Sequence, residues 1–451
     1  MLGVDRPRRA GARRGRRSST GHAALTTSRI SLGRAHLLAG SLIREATRAG
    51  IPAASLHRVG SLRRFSPDIG DAALLAGVTT AHHPDVLARF STLPMVTAVL
   101  DRSATMVRVA TVRGAATLFV VAPDQVGAGL VWHTGSRRHT EQLRTRAREY
   151  GFSLDDGFLR RDGALLSTPT EETFYRYLGL PLIPAELREG DDEIAVAERG
   201  ELPELVTMPA MRGDLHMHST WSDGRDTLET MMYASRTLGY EYVAITDHSE
   251  RAWSSRKLMA EDVPRQRDEI EALRETLSGI TILHGVEVDI MKDGSLDFPD
   301  DLLNCFDIVL ASLHDHGGQA GPELTRRYLQ AIAHPLVNVI THPANRSPAV
   351  SNGYDIDFDR LFAAAAETGT ALEIDGAPGH LDMDGRLARR ATAAGVMLTI
   401  DSDCHRAEAL ARQMRFGIGT ARRGWVEPRH VLNTRGVEDV RAFVAAKRAR
   451  A

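Results

Sequence analysis

Short apolar runs alternate with polar, helix-periodic stretches through residues 211–433. The runs 242–246, 280–288, 308–313, 337–341, 371–374 and 396–400 are each built mainly from Val, Ile, Leu and Ala. Apolar runs of this length predict strands buried on both faces, and their alternation with helical stretches predicts a parallel α/β sheet or barrel. A strand opening at Gly213 brings the count to seven. That is more than a short open sheet needs, so a closed or nearly closed barrel is expected, followed by a C-terminal helix over 434–451.

The first half reads differently. An amphipathic helix is expected over 35–49, two strands over 106–112 and 116–121 around Arg113-Gly114, and a polar helix over 140–150. This mixture predicts a smaller α+β domain over 29–178. Residues 179–210 carry Pro181, Pro184 and Pro203 and the acidic run 189–193, and are expected to link the two domains. Residues 1–28 are rich in Arg, Gly, Ser and Thr without hydrophobic period. They predict a disordered basic arm, either a solvated tail or a weak nucleic-acid contact.

Composition narrows the class. With 451 residues, 43% of them hydrophobic and 25% charged, the chain can bury two or three cores, and global disorder is excluded. No apolar run approaches the roughly 18 residues of a membrane span, and no signal-type apolar stretch follows the basic start. A cytoplasmic protein without membrane contact is expected. Cys305 and Cys404 are the only cysteines, which excludes a disulfide scaffold or a thiolate zinc site. Any metal must be held by His and carboxylate. The net charge of −2 conceals a split: seven arginines against Asp5 give the first seventeen residues +6, leaving −8 for the rest.

The chemistry enters at strand ends. His216 and His218, two apart on a strand, present their imidazoles on the same face. Alone, such a pair is an ordinary polar strand end. Asp223 follows in the next loop, and His248, Glu287, His314, His342 and the pair Asp403 and His405 each fall at or just after the C-terminal end of a predicted strand. In α/β barrels that face gathers side chains from separate strands into an active site. Nine candidate ligands exceed the three or so protein ligands of one catalytic zinc, so three divalent ions are the natural division. Glu287 is placed to bridge two of them, and imidazole with carboxylate suits Zn, Mn or Fe. Such a cluster suits phosphoester hydrolysis, with amide and lactone hydrolysis as neighbouring chemistries.

Asp214-Leu215-His216-Met217-His218-Ser219, Thr246-Asp247-His248-Ser249, Gly285-Val286-Glu287, Ala311-Ser312-Leu313-His314, Thr341-His342-Pro343 and Asp401-Ser402-Asp403-Cys404-His405 resemble the motifs of the PHP (polymerase and histidinol phosphatase) domain. The resemblance covers 211–433 and implies a distorted seven-stranded barrel. It also implies one ion on His216, His218, Glu287 and Asp403, a second on Glu287, His314 and His342, and a third on Asp223, His248 and His405. Glu287, Asp403 and His405 are the expected catalytic residues, with Asp403 or a neighbouring His handling the proton. Arg346 matches a position that holds substrate phosphate, or is a surface arginine.

The first half resembles the palm of bacterial family X DNA polymerases carrying a C-terminal PHP domain. Gly60-Ser61-Leu62-Arg63-Arg64 is similar to the nucleotidyltransferase Gly-Ser motif, and Trp132-His133-Thr134-Gly135-Ser136 to a second motif. A palm needs three carboxylates to hold two magnesium ions. Asp71 matches the first, but the second falls on Ala73 and the third on Thr117. The resemblance begins at the palm, so elements that grip gapped DNA ahead of it are expected to be absent. The expectation is a degenerate palm site (Gly60, Ser61, Arg63, Asp71) without polymerase activity, joined to a phosphoesterase acting on DNA 3′ ends as a 3′–5′ exonuclease or 3′-phosphatase. The alternatives are a small-molecule phosphatase of histidinol phosphate type and a non-catalytic DNA-binding relic.

Overall fold

The computed structural model describes residues 29–252 and 254–450; the arm expected over 1–28 lies outside the described residues. Seven parallel strands form one sheet in sequence order: Gly213–Asp214, Tyr242–Ile245, Thr281–Asp289, Ile308–Ser312, Val339–Ile340, Ala371–Asp375 and Leu398–Asp401. The sheet curls until its ends nearly meet. A parallel bridge joins Met217 to Cys404, and the His218 amide donates to the Cys404 carbonyl at 2.9 Å.

Both faces of the strands are buried, which is why their sequences read as continuous apolar runs rather than alternating ones. One alternate set, including Tyr242, Ala244, Leu283, Ile308 and Leu310, packs with Leu432, Val440 and Val444 from the C-terminal segment. The other, including Val243, Ile245, Val286, Val309 and Ile340, packs against the surrounding helices. The C-terminal helix Val437–Arg448 closes the end where the strands begin: Lys447 donates to the Ile332 carbonyl and Arg448 to that of Phe306, both ahead of strands. The opposite end, where the strands finish, is left for the site.

The smaller domain has a five-stranded sheet in the spatial order Leu56–Arg58, Ala72–Gly77, Gly114–Val121, Met106–Thr111, Val96–Arg102. Only the central pair, Ala72–Gly77 with Gly114–Val121, is parallel. Helix Leu32–Arg48 buries Ala35, Leu38, Ala39, Leu42 and Ala46 against it, the 3.6-residue stripe read in the sequence. Leu381 and Phe416 of the barrel are buried in this same core, so the two domains share apolar packing. The polar helix runs Arg137–Glu149, with the Ser136 hydroxyl accepting from the His139 amide as N-cap.

Residues 179–210 are folded rather than extended. Leu180, Ile183, Leu187, Ala197 and Leu205 join a third core built on helices Arg137–Glu149 and Glu171–Tyr177. The acidic run is drawn in because its carboxylates find cations on both sides. Glu189 meets Arg64 at 2.8 Å and also Arg423; Asp192 receives both Arg389 nitrogens at 2.9 and 2.8 Å; buried Glu193 meets His139 at 2.6 Å.

Candidate metal centre

The strand ends deliver all nine expected side chains to one place. Glu287 is the hub: its carboxylate lies 2.7 Å from His248 Nδ1, 3.1 Å from His342 Nε2, 3.4 Å from His216 Nε2, 3.6 Å from His314 Nε2 and 3.7 Å from His218 Nε2. Asp403 Oδ1 lies 3.1 Å from His218 Nε2 and 3.7 Å from His216 Nε2. Asp223 Oδ1 lies 3.1 Å from His405 Nε2 and 3.6 Å from His248 Nε2. The groupings interlock: His218 also falls within ligand range of Asp223, His248 and His405, and His248 groups with Glu287 and His314.

These contacts fit cations better than hydrogen bonds. Glu287 Oε2 and His248 Nδ1, although 2.7 Å apart, are both buried without a hydrogen-bond partner, as is Asp223 Oδ1. Native interiors seldom tolerate such orphaned groups, and a divalent ion between them would satisfy each. His342 and Asp403 also adopt left-handed backbone, φ 24° and 47°, a strain of about 1–3 kcal/mol apiece that recurs at functional sites.

A second layer aims the ligands. Glu373 accepts from His216 Nδ1 at 2.7 Å and from the His342 amide at 2.8 Å, and Asp289 lies 2.8 Å from His314 Nδ1. Asp247 accepts five bonds, from Ser219 N and Oγ, Ser222 N and Oγ, and Gln266, which fixes the loop carrying Asp223. Carboxylates behind imidazoles set tautomer and ring orientation at metal sites.

The electrostatics follow. Burial opposes charge on Glu287, but His248, His216 and His314 prevail and hold its carboxyl well below the usual range. Burial also disfavours protonated imidazole, yet Glu287 and Asp289 lift His314 to about 9, and Asp223 and Asp403 lift His405 to about 9. His218, buried beside the imidazoles of His405 and His248, is pushed down to about 3.

The centre opens into a cavity of about 190 Å³ lined by Asp223, His248, Ser254, His314, His342, His380, Asp403 and His405. His380 was missed in the sequence reading. It stacks on His342 with ring centroids 5.1 Å apart, groups with Asp375 and Asp403, and follows the sixth strand by five residues, so the strand-end rule would have found it. Arg346 does not line this cavity. It is mostly buried, with Nη1 3.3 Å from Asp384, and borders a neighbouring cavity with Arg29 and Asp68.

At the palm, Gly60 lies beside Ala73, and Ala73 pairs with Thr117 across the central strands. Asp71 accepts from the Thr117 hydroxyl at 2.5 Å. Arg63 is held by both oxygens of Glu171, which also takes Arg188.

A barrel with His and carboxylates converging at its strand ends is the frame of a metal-dependent phosphoesterase, and the PHP domain family model matches residues 214–373. The family model of the DNA polymerase beta thumb matches residues 129–189, which adds a thumb to the expected palm. The "DNA polymerase/3'-5' exonuclease PolX" of Bacillus subtilis (strain 168) is 36% identical over 392 residues, covering 86% of this chain and 68% of that protein. A "Probable phosphatase" of Syntrophotalea carbinolica is 29% identical over 208 residues, 44% of this chain and 82% of its own length. One from Thermoanaerobacter sp. (strain X514) is 30% identical over 204 residues, covering 43% and 78%. The chain belongs to the bacterial PolX family, in which a polymerase-beta-like region precedes a PHP domain.

Among the described residues no helix is long and apolar enough to cross a membrane.

Proposed function

We propose that the barrel hydrolyses phosphate esters at DNA 3′ ends, as a 3′–5′ exonuclease or 3′-phosphatase, with three divalent ions on the nine residues in the grouping expected from the sequence, and that the palm no longer polymerises. The observation that carries the reading is the convergence of these ligands at one place, six of them (Asp223, His248, His314, His342, Asp403 and His405) on the wall of a 190 Å³ cavity, a size that suits a terminal phosphate and its sugar. When bound, the ions supply charge neutralisation at the phosphoryl oxygens and a lowered pKa for attacking water. Glu287, facing five imidazoles, holds the cluster together. Asp403 and His405 line the cavity and are within reach of a proton leaving the attacking water or returning to the departing oxygen.

For the palm, one carboxylate already engaged by Thr117 stands where three are needed, and the arginine after the Gly-Ser motif is engaged by Glu171. Manganese-loaded enzyme is expected to shorten or dephosphorylate a 3′-recessed duplex and to incorporate no template-directed nucleotide. Incorporation would overturn the palm reading.

A small-molecule phosphatase is the second reading. It is favoured by phosphatase relatives that match less than half of this chain but most of their own length, and by the size of the cavity. Preference for a small phosphomonoester over the DNA end would select it. Protein inert on both substrates when metal-replete would restore the non-catalytic relic.

A further inference from the structure

At the seam between the two domains, helix Leu32–Arg48 packs against helix Leu410–Arg423, with His36 edge-on to Phe416 at 5.2 Å. Among the described residues, Arg34, Arg58, Arg412 and Arg415 meet no carboxylate within 4.0 Å, although the arginines of the neighbouring connector contacts are ion-paired. Arg58 is half-buried and its Nε has no hydrogen-bond partner. Three of them share one field of like charge: burial and then Arg58, Arg415 and Arg412 push His36 down to about 4. Keeping unpaired guanidinium groups together costs stability unless an anion visits them.

Their arrangement is a track rather than a point. Arg34 and Arg412 border a cavity of about 440 Å³, and Arg58 and Arg415 border another of about 320 Å³ with His36 and His57. One short loop stands between the first cavity and the metal centre: Pro378 and Gly379 line the one, while the next residue, His380, lines the metal cavity. Gly33 holds the helix against this loop, since a Cβ there would come 2.5 Å from the Pro378 side chain. A free phosphate would need only one such cavity. A phosphodiester strand with its end at the metals needs successive cations leading away from it.

We propose that Arg34, Arg412, Arg415 and Arg58 form a binding track for the phosphodiester backbone of the strand whose end enters the metal cavity. This rests on the nucleic-acid reading above and deepens it. The barrel and the palm contribute two arginines each, so the palm retains a function as one wall of a nucleic-acid groove.

The test is binding rather than cleavage, so that it stands apart from the activity assay. A fluorescent single-stranded 20-mer is titrated against full-length protein across a range of salt, comparing wild type, Arg412→Ala/Arg415→Ala, and a control that removes two exposed charges elsewhere, Arg236→Ala/Arg441→Ala. Each phosphate contact on a single strand contributes about 0.7 to the slope of log affinity against log salt, so the seam variant is expected to lose about 1.4 in slope and bind about 10- to 30-fold more weakly at 0.1 M salt. The control is expected to bind within about twofold of wild type. Equal weakening by control and seam variants, or unchanged affinity and slope in the seam variant, would overturn the track. A wild-type slope near 0.7 would overturn it too, by reducing the seam to a point site for free phosphate. If the track binds as expected and no DNA end is cleaved, the proposed reaction fails and the binding surface stands.

Discussion

Glu287→Gln removes one negative charge from the centre of the cluster while keeping volume and shape, so a fully buried position is altered without leaving a void. In the proposed grouping the ion on His314 and His342 falls to two protein ligands, below the three usual for a catalytic site. The ion on His216, His218 and Asp403 keeps three, and that on Asp223, His248 and His405 is untouched. Metal content is therefore expected to fall from three ions per chain to two or fewer. Losing an ion forfeits several kcal/mol of transition-state stabilisation, and about 4 kcal/mol corresponds to roughly a thousandfold in rate. The assay pairs elemental analysis of dialysed, metal-reloaded protein with turnover on a 3′-phosphorylated oligonucleotide and on a small phosphomonoester. Melting of the metal-free variant checks that it is folded. Three retained ions, or activity within tenfold of wild type, would refute the role of Glu287 as a shared ligand.

Asp289→Asn, which weakens the contact orienting His314, is expected to lower metal affinity about 10- to 100-fold with little change in fold, measured by competition with a chelator. Stability of the metal-free protein should depend on pH in the basic direction. His314 is raised to about 9 in the folded state, so its contribution, at most about 3 kcal/mol, is fully present below its unfolded value of roughly 6.5 and lost as pH rises through 9. Calorimetry of chelated protein should show the melting temperature falling across that window, and a flat profile would refute the charge pairing with Glu287 and Asp289. Phe416→Ala removes a fully buried ring that the barrel lends to the palm core, and is expected to cost about 3–5 kcal/mol in urea unfolding, with both domains loosened at their seam.

The barrel was legible because its strands are buried on both faces and its ligands obey one rule, position at a strand's C-terminal end. His380 obeys the same rule from the loop five residues past the sixth strand, and is the cavity-lining histidine not among the nine. Glu373, Asp289 and Asp247 were not legible in this way. Each acts on a side chain 25 to 157 positions away in sequence, and nothing local distinguishes a carboxylate that orients an imidazole from one facing water. The folded state of 179–210 was hidden similarly. Proline and acid at that density read as linker, whereas in the fold its apolar residues join a core and Glu189 and Asp192 meet arginines of the barrel and palm.

Those pairings also change what the net charge means. A balance of −8 outside the arm reads as repulsion of a polyanion if the charges are spread evenly. They are not. Glu171, Glu189, Glu193 and Asp192 are spent on arginines and a histidine within the protein, while Asp223, Glu287 and Asp403 face one another's imidazoles at the barrel mouth. Among the described residues Arg34, Arg58, Arg412 and Arg415, which border two cavities at the domain seam, meet no carboxylate. A strand approaching the site therefore meets local positive charge although the chain is acidic overall. This separation depends on the docking of palm and barrel, and in the proposed track it gives the palm a role that does not depend on carboxylates at Ala73 and Thr117.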